Sequence, residues 1–227
     1  MNNTEDKRFI EPPNIISDTV TAIFTTRAAE SIADEINISE NNIYLPIQKH
    51  TDRVHVLESG MEPVVADAIL TKRRGVLIGV QVADCVPVLL LDMKNQVVGA
   101  VHAGWRGTSK QILRNTIDTM KKKFSSSADD IMVALGPCIR GCCYEVAGDV
   151  RDAVEDATGE GAYCMEKDGK YYLDLSSANL RQAVSSGIPQ ANIWRSGECT
   201  CCNHDKFYSY RYAKGTTGRQ GGFIGMW

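Results

Sequence analysis

Residues 83–108, ADCVPVLLLDMKNQVVGAVHAGWRGT, are the stretch that most restricts how this chain can fold. Two apolar, β-branched runs, 86–91 and 97–101, are short and bounded by turn residues, the pattern of buried strands rather than of a helix. The polar break at 93–96 joins them as an antiparallel hairpin. Pairing then sets positions 83–86 opposite 100–103 and brings Cys85 beside His102. After His102 come Gly104 and Gly107, which let backbone approach a ligand closely. Trp105 between them can wall a pocket, and Arg106 suits phosphate or carboxylate. Each residue is ordinary alone; together they mark a candidate site.

The rest of the chain supplies strands and helices around this hairpin. Strands are expected at 19–26, at 54–56 where Val54 and Val56 alternate with Arg53 and His55, at 67–71, and at 75–82. Thr108 and Gln111 have the spacing of a capping box. Behind them Ile112, Leu113, Thr116, Ile117 and Met120 fall on one helical face, and Lys121 to Lys123 suit the negative end of the helix dipole. A helix starting there would point free amides at the space around Cys85 and His102. Further on, 131–135 reads as a strand, 144–158 as a helix, 170–174 as a strand, and a helix capped by Asp174 or Ser176 runs to Ser186 with Gly187 as its stop. Short strands at 191–194 and 222–227 and a short helix within 28–36 complete the pattern. The class is α+β, a single domain of mixed β-sheets with packed helices covering residues 15–227, after a polar lead-in at 1–14 that contains Pro12 and Pro13.

Composition agrees with one domain: 227 residues, 43% hydrophobic and 23% charged, with no shift that marks a second. No basic start followed by an apolar run marks a signal peptide, and no stretch has the length of a membrane span. A cytoplasmic protein is expected, in which the eight cysteines are thiols or metal ligands rather than disulfides. The net charge of −3 gives no reason to expect nucleic acid or an anionic membrane as partner. Oligomeric state is open.

The chain resembles the YfiH-like, laccase-domain family, whose members are called polyphenol oxidases or purine nucleoside phosphorylases. The resemblance rests on QKHTDRV at 48–54, ADCVP at 83–87, HAGWRG at 102–107, GPCIRGCCYEV at 136–146, CT at 199–200, FYSYR at 207–211 and GR at 218–219, in the family's order. One departure is Tyr212, where a second Arg is usual. The resemblance implies a YfiH-like fold and makes His50, Cys85 and His102 the metal and catalytic residues. Between His50 and His55 side-chain chemistry alone does not choose; the resemblance selects His50. It also places Arg27, Arg106, Arg211 and Arg219 at the substrate.

Two imidazoles and one thiolate leave a fourth position open, as in a catalytic zinc site. Zinc, one per chain, is the expected cofactor, and the resemblance implies phosphorolysis of purine nucleosides, including methylthioadenosine, and adenosine deamination, with a purine nucleoside and phosphate as partners. Copper is the alternative, because the same donors suit a blue-copper site and the family is also named for polyphenol oxidation. Only four histidines are present, too few for a separate multicopper cluster built on imidazole. A further alternative is a cysteine hydrolase with Cys85 as nucleophile and His102 as base, which needs a depressed thiol pKa and a residue orienting the base. Asp84 and Glu145 lie near motifs and are candidates for proton transfer. Cys138, Cys142 and Cys143 do not form two clean pairs of metal ligands and are expected to be small buried residues, with a second metal bound among these and Cys199, Cys201 and Cys202 as the lesser alternative. Cys199, Cys201, Cys202 and His204 are too crowded for a zinc knuckle.

Overall fold

A computed structural model describes residues 7–227. The hairpin is the centre of a six-stranded sheet with spatial order Ile193–Arg195, Ile131–Leu135, Val86–Asp92, Val97–Ala103, Ala68–Thr71 and Val54–Val56. Val86 pairs with Ala103 and Pro87 with His102, so the hairpin forms as expected but positions 86–89, rather than 83–86, face 100–103. Cys85 therefore leaves the sheet immediately beside His102.

A five-stranded sheet, in the order Phe9–Ile10, Val20–Thr25, Gln220–Met226, Val76–Val82 and Ile43–Tyr44, packs on one face of the first. The helices cover the other. Side chains of a strand alternate between faces, so Leu89 and Leu91 join Phe24, Tyr44, Ile78 and Ile224 between the sheets. Val88 and Leu90 join Ile112, Leu113, Ile117 and Met120 under the helices. Burial on both faces explains why the hairpin strands read as continuous apolar runs. A small sheet of Glu145–Val146, Lys170–Leu173 and Cys164–Lys167 lies apart from the other two.

Several boundaries differ from expectation. Helix begins at Trp105, with Gly104 as N-cap, and this turn ends at Ser109. Gln111 is left-handed, with φ of 58°, and the main helix Ile112–Phe124 starts after it. The capping box is absent because both of its side chains are used elsewhere: the Thr108 hydroxyl accepts from Asn179 Nδ2 at 2.9 Å, and Gln111 Nε2 donates to the Ala157 carbonyl at 2.7 Å. The helical N-terminus that directly follows the hairpin thus belongs to the short Trp105–Ser109 turn and not to the long helix. Residues 145–146 pair with Tyr171 and Tyr172 as a strand, so the helix expected from 144 is confined to Gly148–Thr158. The helix within 28–36 shrinks to Ile32–Glu35, capped by Ser31. Asp174 caps Leu175–Ser185 by accepting from the Ser177 amide, one of the two caps expected.

Residues 1–6 of the expected lead-in lie outside the described residues. Its remainder is built into the fold: Phe9 and Ile10 pair with Thr25 and Phe24, and Asn14 Nδ2 donates at 2.9 Å to both the Val133 and Asn192 carbonyls. Among the described residues no helix is long and apolar enough to cross a membrane.

Candidate metal centre and pocket

Asp67 organises the centre. It is fully buried just before the Ala68–Thr71 strand, and the pairing of that strand with Val97–Ala103 carries it beside His102. The His102 amide donates to the Asp67 carbonyl, and the ring Nδ1 lies 2.8 Å from Asp67 Oδ1. The other oxygen accepts from the Thr51 amide at 2.6 Å and hydroxyl at 2.7 Å, and the His50 amide reaches Oδ1 at 3.0 Å. Burial alone would raise this carboxyl's pKa; the His102 and Thr51 hydrogen bonds hold it well below the usual range. An ionised Asp67 makes His102 Nδ1 the donor and leaves Nε2 for the site. His50 sits at φ 56°, in the left-handed region, held there by the bond to Asp67.

The ligand atoms of His50, Cys85 and His102 all lie within 4.8 Å of one another. The two imidazoles meet edge to face, centroids 4.8 Å apart. Gly104 is required here, because a Cβ would stand 2.9 Å from Cys85 Sγ. Burial by itself raises the Cys85 thiol, but His102 and His50 more than offset it and bring it down to about 6. Burial likewise lowers His102, and the Cys85 and Asp67 charges override it, lifting the imidazole to about 9. The donor set fits a soft or borderline divalent ion: two nitrogens, one thiolate, an oriented second imidazole nitrogen and an open side.

That open side faces a cavity of about 720 Å³. Three of the four expected arginines, Arg106, Arg211 and Arg219, line it together with Gln48, Trp105 and Tyr144. Arg106 lies over the Trp105 ring at 4.4 Å, and Arg211 over Tyr144 at 5.3 Å while donating to the Cys143 and Glu145 carbonyls. Burial is the main cause that pushes the Tyr144 hydroxyl up to about 12, so it stays a neutral donor.

Arg27 is not among these walls. Its guanidinium donates to the His204 carbonyl at 2.7 Å and covers Tyr208, bracing the C-terminal turn. Asp84, at φ 85°, accepts from Thr200 Oγ1 at 2.6 Å and the Arg211 amide at 2.7 Å, so both oxygens are spent holding the loop beside Cys85. Glu145 pairs with Lys170 at 3.0 Å. His55 stacks on Tyr44, away from the centre. His204 stacks on Tyr212 at 3.6 Å.

The expectation of small buried cysteines holds for Cys138 and needs correction at the other two: Cys142 is exposed and Cys143 is half-buried. Asp67, Thr200 and Tyr144 were not legible as site residues. For Asp67 the one signal was a carboxylate heading a short, mostly apolar strand, where a charge must find partners.

Residues 17–227 match the family model described as multi-copper polyphenol oxidoreductase laccase. The chain belongs to the laccase-like YfiH family. Among its YfiH-family relatives, a purine nucleoside phosphorylase from Clostridium acetobutylicum is 40% identical over 181 residues, 78% of this chain and 74% of that protein. A protein named adenosine deaminase, from an unknown prokaryotic organism, is 33% identical over 83% of this chain and 77% of its own length. The solved structure of YlmD from Geobacillus stearothermophilus superposes with a TM-score of 0.89 at 26% identity, covering 99% of this chain and 98% of that one. YfiH from Bacillus licheniformis gives 0.88 at 29%, covering 92% and 93%.

Proposed function

We propose that this YfiH-family enzyme acts on purine nucleosides at a zinc ion held by His50, Cys85 and His102, by phosphorolysis, by deamination of adenosine, or by both. The observation that carries the reading is the open three-donor centre facing a pocket with three guanidiniums and two aromatic walls. The names of the relatives, purine nucleoside phosphorylase and adenosine deaminase, support the substrate class.

When bound, zinc would supply a Lewis acid and bring the pKa of water toward roughly 7. The chain's own residues do the rest. Trp105 and Tyr144 offer faces to a purine ring. Arg106, Arg211 and Arg219 attract phosphate and fix its oxygens by paired N–H donation. Arg211 is preset by its two carbonyl contacts, so little order is lost when the anion enters. Asp67 keeps the proton on His102 Nδ1 and thereby fixes the orientation of the ring.

The test is metal analysis beside an assay of adenosine with and without phosphate, separating adenine, inosine, hypoxanthine and ribose phosphate. About one zinc at this centre, with phosphate-dependent base release or inosine formation lost on chelation, is the expected result. Copper in excess of zinc with turnover of a phenol and none of nucleosides would replace the proposal with the oxidase reading.

A second reading has a specific observation in its favour. In the metal-free protein Cys85, His102 and Asp67 form a thiolate, imidazolium and carboxylate series, which meets both conditions for a cysteine nucleophile. Activity that survives or rises on chelation, and is destroyed by alkylating Cys85, would establish it.

A further inference from the structure

Four of the remaining cysteines converge on a second point. Cys142, Cys143, Cys199 and Cys202 place their sulfurs within 4.8 Å of one another. Cys202 Sγ lies 3.6 Å from Cys142 Sγ and 3.3 Å from Cys143 Sγ, across sequence separations of 60 and 59 positions. These are not disulfide lengths, and all four thiols are free. A zinc ion bound tetrahedrally at Zn–S distances near 2.3 Å sets its sulfurs roughly 3.8 Å apart. The cluster is therefore already close to that size.

Two further features argue for a ligand. Free cysteine is among the most buried residue types, yet Cys142 and Cys202 are exposed, so hydrophobic packing does not account for their convergence. Cys199 is the buried member, and backbone N–H groups of Arg140, at 3.4 Å, and of Cys201 and Cys202 are directed at its sulfur. Such N–H···S bonds stabilise a thiolate and fix its direction. In sequence Cys199 and Cys202 have the two-residue spacer of a zinc half-site. The other half is the adjacent pair Cys142 and Cys143.

We propose that Cys142, Cys143, Cys199 and Cys202 are a second metal site, a closed four-thiolate zinc centre that clips the pocket's outer wall to the C-terminal turn. The segment on one side of the clip carries Ile139 and Tyr144, both on the cavity, and the Cys143 carbonyl that holds Arg211. The turn on the other side carries Thr200, which holds Asp84 beside Cys85. With no open position, this ion has no part in turnover and acts through the shape of the pocket.

The test counts zinc in full-length protein purified under a non-chelating phosphine reductant. Two ions per chain are expected, falling to one in Cys85→Ala and to one in a Cys142→Ser, Cys202→Ser double variant, each losing a different ion. Substitution of cobalt in Cys85→Ala should give the absorption of a tetrahedral thiolate site, and adding Cys142→Ser and Cys202→Ser to that variant should abolish its thiolate-to-metal band. The wild type provides a readout that does not depend on how the variants fold: zinc should protect Cys142, Cys143, Cys199 and Cys202 from iodoacetamide, while half-buried Cys164 reacts as the internal standard. The same zinc content in wild type and double variant, free alkylation of the four in zinc-loaded protein, or a Cys143–Cys202 disulfide after purification would each overturn the proposal. The count is independent of whether nucleosides are the substrate.

Discussion

Of the first cluster, His102 stands on a sheet strand, with Cys85 just before the neighbouring strand and His50 in a loop tied to the same sheet, whereas Cys142, Cys143, Cys199 and Cys202 all stand on two loops. In the first group, two donors flank one hairpin and the third is tied to it through Asp67, a buried carboxylate that takes hydrogen bonds from His50, Thr51 and His102. The side away from the sheet is open to the cavity. In the second group four sulfurs converge on one point near the surface, with Cys142 and Cys202 exposed, and the supports are backbone N–H groups such as that of Arg140 to Cys199 Sγ. Three rigid donors with one gap suit chemistry; four donors with none suit fastening. A chain can hold both kinds of cluster without exchange of roles because the geometry of their supports differs.

The largest effect that separates the two comes from Cys85→Ala. It removes the thiolate from the three-donor centre, so nucleoside turnover should fall to background and zinc content should drop by one ion per chain, with the four-cysteine cluster still loaded. Loss of both ions would show that the clusters are one cooperative unit.

Asp67→Asn comes next. The amide keeps the carboxylate's shape but brings N–H donors toward the Thr51 amide and His102 Nδ1, and it removes the charge that fixes the tautomer. Loss of such a carboxylate partner typically weakens metal binding about 10–100-fold, and chelator competition should show that fall at the three-donor centre alone. Unchanged affinity would mean that the sheet, not Asp67, orients His102.

Arg106→Ala is expected to do less. It should raise KM for phosphate or nucleoside roughly tenfold, equivalent to about 1.4 kcal/mol, with both ions retained. Release of zinc in this variant would move Arg106 from the pocket wall to the support of the metal centre.

The same contrast governs what the sequence displayed. Cys85 and His102 were legible because a hairpin makes near neighbours in sequence into near neighbours in space, and the apolar runs announced the hairpin. His50 needed the family resemblance, since His55 has equal chemistry and only tertiary packing sends it to Tyr44. Asp67 was hidden because its partner arrives through strand pairing with Val97–Ala103. The four-cysteine cluster was hidden by a separation of about 60 positions and by an adjacent pair where a spaced pair is the familiar pattern. Arg27 illustrates the opposite failure: a motif residue at a strand end, drawn toward the substrate by resemblance, spends its guanidinium on the His204 carbonyl. Helix starts at Ile112 and Gly148 were misplaced for two reasons: the Thr108 and Gln111 side chains are taken by tertiary partners, and residues 145–146 by strand pairing.

The smallest effect tests whether the sheet is as rigid a support as the comparison requires. Asp92 lies at the end of the hairpin remote from Cys85, paired with Val97, and is fully buried. Its two oxygens accept from the Asn95 amide and side chain, each at 2.9 Å. Burial alone would raise this carboxyl, but the Ser126, Asn95 and Lys94 donors outweigh it and lower the pKa from 3.8. A carboxyl depressed by folding stabilises the native state above its unfolded pKa, and that contribution disappears as pH falls through the folded value. Asp92→Asn should therefore cost about 1–2 kcal/mol in urea unfolding at pH 7, and the gap to wild type should close below about pH 4. Ion content and kcat should not change at pH 7, because the strand between Asp92 and Cys85 is paired with Val97–Ala103 along its length and with Ile131–Leu135 from Val88 to Asp92. Zinc lost from the three-donor centre in this variant would mean that strain travels down the hairpin, and the distinction between a rigid floor and a loop-borne clip would then fail at its first term.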